Sequence, residues 1–220
     1  MDPSHLSQSL PDYVKVRCFQ LKPASTVEAG NSLFPADLTE ALAGSTRGID
    51  QRTGSLIAAD GQCPSLVFAI SLDLVWDEFH LHCAIYRALY NMNVVKKLKT
   101  KSLPAEVLYQ LASTGKINEA IKQFCLKENT QALAVISLSP DSSDPSFDQL
   151  CERIASLPQA PDSLVENVVE LPLSEIHCAL GTSDKRTTIS KVFKLSSIEC
   201  GAQDFSSVIS MRLALKDIEN

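Results

Sequence analysis

Basic charge is scarce in this chain, and that scarcity sets the first limits. Lys and Arg number 20 against 26 Asp and Glu, a formal net charge of −6 with a pI near 5.2. Wholesale wrapping of nucleic acid is therefore not expected, although a local basic patch is compatible with the total. Aromatic residues make up only 6% of the 220 residues, so the core should be aliphatic. The seven cysteines form no C-x-x-C pair and are odd in number. Reduced, buried thiols fit this pattern better than a disulfide framework. Long apolar runs are missing too. The strongest one, "SLVFAISLDLVW", is too short to span a bilayer and carries Asp73. The opening "MDPSHLSQSLPDY" has neither a basic nor an apolar signal region, so a secretory leader is not expected. The eight glycines are scattered and form no phosphate-cradling loop. No G-x-S-x-G elbow, H-E-x-x-H or EF-hand loop occurs either.

What is present reads as one domain of sheet and helices. "YVKVRCFQL" alternates apolar and polar residues as a strand does. "SLVFAISL" and "QALAVISLS" are nearly unbroken apolar runs, the pattern of strands covered on both faces. "ENVVELPL" adds a fourth strand. A short helix is expected in "FPADLTEALAGS". Asp77 caps a largely apolar, central helix through Met92. "PAEVLYQLAS" and "KINEAIKQF" make two shorter helices. The stretch 140–175 runs from Asp141 to Glu175 with Arg153 as its single base, and "SFDQLCERIASL" within it reads as an exposed helix. "TTISKVFKLSS" and "DFSSVISMRLALKDI" close the chain. The expected architecture is α/β (α+β), with a single mixed β-sheet packed by several helices and a partly exposed C-terminal helix.

Two features stand out against the acidic background. Lys96, Lys97, Lys99 and Lys101 crowd into six residues and alternate with Leu98 and Thr100. That spacing suits an extended segment with a packed side and a basic side, able to meet phosphates; a solvated linker is the alternative. The closing helix spreads apolar residues over an arc wider than the about 100° that a surface helix needs. Either it is deeply buried, or one face packs on the core while another meets a partner. Catalytic signals are weak. His80 and His82 point about 200° apart on a helix and so cannot share a metal; one buried and one surface histidine is expected. His177 beside Cys178 lacks an orienting motif. No catalytic residue, metal or cofactor is expected.

"KLKTKSLPAEVLYQLASTGKINEAIKQF" and "ISKVFKLSS", with the final helix, resemble the kinase-binding subunits of the KEOPS (EKC) complex, the TPRKB family. The order and spacing agree over roughly residues 12–218. The resemblance implies a flexible N-terminus (1–11) and a single domain (12–218) with a loop insertion at 44–64 and an acidic insertion at 140–165. It also implies a non-catalytic subunit in cytoplasm and nucleus, away from membranes. Such a subunit binds the complex's small atypical kinase (PRPK) directly and the transferase subunit indirectly. It helps to recruit tRNA by its 3′ end for threonylcarbamoyl adenosine modification next to the anticodon. On that reading the kinase-binding residues are Val208, Ile209, Met211, Arg212 and Leu215, and the tRNA-binding residues are Lys97, Lys99, Thr100 and Lys101. A free-standing RNA-binding adaptor and a small Cys/His enzyme are the alternatives.

Overall fold

The computed structural model describes residues 10–23, 66–127, 130–138, 145–159, 165–178 and 182–216. The expected helix in "FPADLTEALAGS", the 44–64 loop, residues 1–9 of the N-terminus and parts of the acidic insertion lie outside the described residues.

Among the described residues, four strands form one sheet: β1 (Val14–Pro23), β2 (Leu66–Ser71), β3 (Ala132–Leu138) and β4 (Val165–Leu171), in the order β2-β3-β1-β4. Each of the three pairings is antiparallel. One sheet packed with helices is thus as expected, but it is antiparallel where a mixed sheet was anticipated. Strand direction depends on how long connections route the chain, and local periodicity carries no record of that.

Period-2 alternation sorts each strand's side chains between two cores. On one face Cys18, Phe68, Ile70, Ala134 and Ile136 meet most of the helices. These include α1 (Glu78–Tyr90), α2 (Leu103–Leu111), α3 (Ile117–Phe124), α5 (Thr182–Val192) and α7 (Phe205–Leu215). On the other face Phe19, Leu21, Leu133 and Val135 pack against α4 (Pro145–Ala155). The central strand β3 is buried at every position, which explains its apolar run, broken only by the buried Ser137. The helix within the acidic insertion is not simply exposed. Phe147, Leu150, Cys151 and Ile154 of α4 fall at i, i+3, i+4 and i+7 and are buried, while Glu152 and Arg153 face solvent.

The end of α1 sets the course of the next segment. Its last turn widens into a π-helical turn, Asn91–Val95, and Lys96 then takes a left-handed conformation (φ 56°). Such a residue stops the helix and reverses the chain. Among the described residues no helix is long and apolar enough to cross a membrane.

His80 belongs to the core. Its ring donates from Nε2 to the Leu111 carbonyl (2.9 Å) and accepts at Nδ1 from the Trp76 N–H (3.1 Å). Both nitrogens are satisfied only in the neutral ring. His82 is half-buried, 3.7 Å from Glu78. Burial pushes the His80 pKa from 6.5 down to about 4, with Lys185 and Lys216 adding repulsion and Asp77 and the Leu111 carbonyl opposing. The unfolded chain takes up this proton near pH 6.5 and the folded chain does not, so the stabilisation is complete above pH 6.5 and fades as pH falls toward 4. The expected loss attributable to His80 is about 2 kcal/mol between pH 7 and 5. Histidine ring-proton NMR checks this directly: the His80 resonance should not titrate above pH 5 while the protein stays folded, and an apparent pKa near 6.5 would overturn it.

Candidate binding surfaces

The basic run is a shaped loop between the π-turn and α2. The extended segment foreseen from spacing is bent, because Lys96 turns the chain and Ser102 caps α2 by accepting from the Ala105 N–H (3.4 Å). The in–out alternation nonetheless survives. Lys97, Lys99 and Lys101 are exposed, whereas Leu98 and Thr100 are partly buried, with Leu98 resting on the main core.

The residue that sets this shape is Glu106, in the first turn of α2 and fully buried (0% exposed). Its Oε2 accepts from the Lys99 N–H, the Thr100 N–H and the Thr100 hydroxyl, each at 3.0 Å. Its Oε1 accepts from Asn91 Nδ2 and Gln110 Nε2, each at 2.9 Å. The lysine loop is therefore folded around a buried carboxylate, and the only outward charges between Lys96 and Ser102 are the ammonium groups. The single hydroxyl proton of Thr100 is shared between Glu106 Oε2 and the Ser102 carbonyl (2.9 Å), so this side chain anchors the loop. Lys99 Nζ leans over the Tyr109 ring at 5.5 Å. Sequence reasoning missed Glu106. The available signal was an acid placed among Leu103, Val107 and Gln110 on the inward side of an otherwise apolar helix.

The second surface is the outer side of α7. Phe205, Ile209 and Leu213 anchor the helix in the core at i, i+4 and i+8. Arg87 Nη1 donates to the Leu213 carbonyl (2.7 Å), and Ser206 donates to Asp77. Just past the helix, buried Lys216 donates to the Tyr109 and Ala112 carbonyls (2.7 and 3.0 Å), 4.0 Å from the Tyr109 ring centroid. It thereby satisfies the C-terminal carbonyls of α2. Of the five expected contact residues, Ile209 faces inward with no exposed surface, so it cannot touch a partner of this fold. Val208, Arg212 and Leu215 are partly exposed, and Met211 is 63% exposed.

The neighbouring short helix α6 (Ser197–Cys200) adds Ile198, 85% exposed. Arg212 is already committed to Glu199 of α6, with Nε and Nη2 each 2.7 Å from a carboxylate oxygen. Glu199 also accepts from the Ser196 N–H and hydroxyl, closing a capping box. The Arg212 guanidinium, followed by the Ser196 donors, holds the Glu199 carboxyl down to about 2. The pair clamps α6 to α7 and leaves Ile198 and Met211 as outward apolar groups.

Catalytic chemistry finds little support at these places. Burial pushes the Cys18 thiol up to about 12 and Cys151 up to about 11, so neither is a ready nucleophile. The side chains of His177 and Cys178 lie outside the described residues.

Comparison with known proteins supplies the assignment that geometry alone does not. The family described as kinase binding protein CGI-121 matches residues 54–217. The chain belongs to this family.

The basic loop and α7 both fall inside the matched span. Among similar proteins, the EKC/KEOPS complex subunit CGI121 of Coccidioides immitis (strain RS) is 25% identical over 138 residues, 62% of this chain and 59% of that protein. The EKC/KEOPS complex subunit CGI121 of Candida glabrata is 29% identical over 77 residues, 35% of this chain and 43% of its own length. The EKC/KEOPS complex subunit TPRKB of Danio rerio is 20% identical over 149 residues, 68% and 75% of the two chains. The chain thus spans less than two thirds of the first two relatives' lengths.

Proposed function

We propose that this protein is a non-catalytic subunit of a KEOPS/EKC complex. It binds the complex's small atypical kinase through the outer side of α7 and reaches the transferase subunit through it. Its basic loop helps to recruit tRNA, by the single-stranded 3′ end, for threonylcarbamoyl adenosine modification next to the anticodon, in cytoplasm and nucleus. The observation that carries this reading is the CGI-121 family match over residues 54–217, together with relatives whose names make them subunits of the EKC/KEOPS complex.

The two surfaces support the division of labour. The kinase contact set becomes Val208, Met211, Leu215 and Ile198, framed by the Arg212–Glu199 pair. The tRNA set is Lys97, Lys99 and Lys101, with Thr100 holding the backbone that presents them. A single-stranded end has no duplex shape to read, so phosphate neutralisation and contacts to splayed bases must do the recognition.

Replacing Lys99 and Lys101 together by Glu should weaken tRNA binding and lower the slope of log affinity against log salt by about 1.4, since each lost phosphate contact on a single strand contributes about 0.7. Kinase co-elution should be unchanged. Titration at several salt concentrations, with intact tRNA and with tRNA lacking its CCA end, is the test. Equal affinity and slope in the variant would return these lysines to the role of a solvated linker. A wild-type chain that never co-elutes with the kinase would remove the complex assignment.

A further inference from the structure

Beside the lysines lies a patch that neither the fold nor the phosphate reading explains. Tyr90, Val94 and Val95 are 57%, 61% and 51% exposed. Tyr90 ends α1, and the valines sit in the adjoining π-turn. In a π-turn the repeat is between four and five residues, so positions i, i+4 and i+5 share a side. A ring and two branched aliphatic groups are thereby gathered at the rim of the basic loop, where Lys96 turns the chain back.

The sequence that builds this corner carries charge of one sign. Residues 79–105 contain no Asp or Glu, in a chain whose net charge is −6. Glu106, the first acid after that stretch, is turned inward and fully buried. An exposed aromatic that shares a side of the turn with two exposed valines, next to exposed ammonium groups and remote in sequence from any outward acid, is complementary to a polyanion that also carries flat apolar faces. Single-stranded nucleic acid has both. An anionic membrane fits less well, because one tyrosine and two valines at a helix end make no long apolar face to bury.

We propose that Tyr90, with Val94 and Val95 on the same side of the turn, is a stacking platform for an unpaired base of the RNA strand whose phosphates meet Lys97, Lys99 and Lys101. This rests on the tRNA-handling reading and adds a base contact to it.

The test uses the full chain with an unstructured oligoribonucleotide and a fully paired RNA duplex of equal phosphate number. Tyr90→Ala should weaken single-strand binding about tenfold, within the range measured for a lost base–aromatic stack. The salt slope and the duplex affinity should stay unchanged, and Tyr90→Phe should bind as wild type does. The Lys99/Lys101 double variant should behave oppositely, with a lower salt slope on both probes. Tyr90→Ala binding the single strand like wild type overturns the stacking proposal and leaves the lysine reading intact. An unaltered salt slope in the lysine variant, with Tyr90→Ala still weakened, sinks the lysine reading instead. Wild type binding neither RNA at low salt overturns both. Vesicle binding (phosphatidylserine with phosphatidylcholine) that depends on Tyr90, without a matching RNA effect, reassigns the patch to lipid and overturns the proposal.

Discussion

Replacing Glu106 by Ala should destabilise the fold by about 3–5 kcal/mol, whereas Glu106→Gln should cost only about 1 kcal/mol. In the alanine variant the N–H groups of Lys99 and Thr100 lose their acceptor, as do the amides of Asn91 and Gln110, all in a partly or fully buried place. Glutamine is tolerated for a specific reason. Its carbonyl oxygen can take the place of Oε2, facing Lys99, Thr100 N–H and the Thr100 hydroxyl. Its new NH2 group then faces two side-chain amides that can rotate by 180° and present oxygens. Gln110 loses little by rotating, because its buried Oε1 has no hydrogen-bond partner now. Urea unfolding of both variants measures the difference. Equal destabilisation by Ala and Gln would mean that charge, and not the number of acceptors, holds the loop. At temperatures where Glu106→Ala stays folded, its RNA affinity should fall with every lysine still present, since disordering the loop restores the entropy that ordering had removed.

How much of this was legible in the sequence depended on whether the signal was local. β1 and β3 were readable because period-2 alternation and a doubly covered apolar run are properties of adjacent residues. The lysine–leucine–threonine alternation likewise gave the correct in–out order from Lys97 to Lys101, even though the backbone proved bent. The antiparallel order β2-β3-β1-β4 was not readable, since it depends on connections of tens of residues. The packing of α4 was hidden because its surface acids drew attention from Phe147, Leu150, Cys151 and Ile154. Glu106 went unnoticed for the opposite reason: an isolated acid looks like surface until its donors, which come from Asn91, Lys99, Thr100 and Gln110, are placed around it.

The rotation of α7 was the other undetermined quantity. A helix with apolar residues on most sides has no preferred inward face by its own pattern. What fixes the rotation is tertiary: Phe205 meets Trp76 edge-on at 4.7 Å, Arg87 holds the Leu213 carbonyl, and Lys216 reaches two carbonyls at the end of α2. Lys216 and Lys99 both lie over the Tyr109 ring, so the proposed kinase surface and the proposed tRNA loop are braced against the same ring. Met211→Glu touches neither contact to that ring, and Lys99→Glu removes the loop's contact while leaving those of Lys216 in place, so each change should leave the other surface undisturbed.

This orientation turns two neighbouring substitutions into opposite outcomes. Ile209→Glu places a carboxylate where no surface is exposed, so the isolated chain should lose more than about 4 kcal/mol and fail to fold at ordinary temperature. Met211→Glu, two residues on and 63% exposed, should change stability by no more than about 0.5 kcal/mol. If α7 docks on the kinase, a charge at Met211 meets a desolvated apolar contact and should weaken binding by about 2 kcal/mol, or roughly thirtyfold. Ile198→Glu on α6 should act in the same direction, because the Arg212–Glu199 clamp fixes Ile198 beside α7. Thermal melts of the isolated chain combined with a binding titration against the kinase separate folding from docking. Met211→Glu and Ile198→Glu together binding with wild-type affinity would exclude this face as the docking surface. A folded Ile209→Glu chain would show that α7 is rotated from the orientation described.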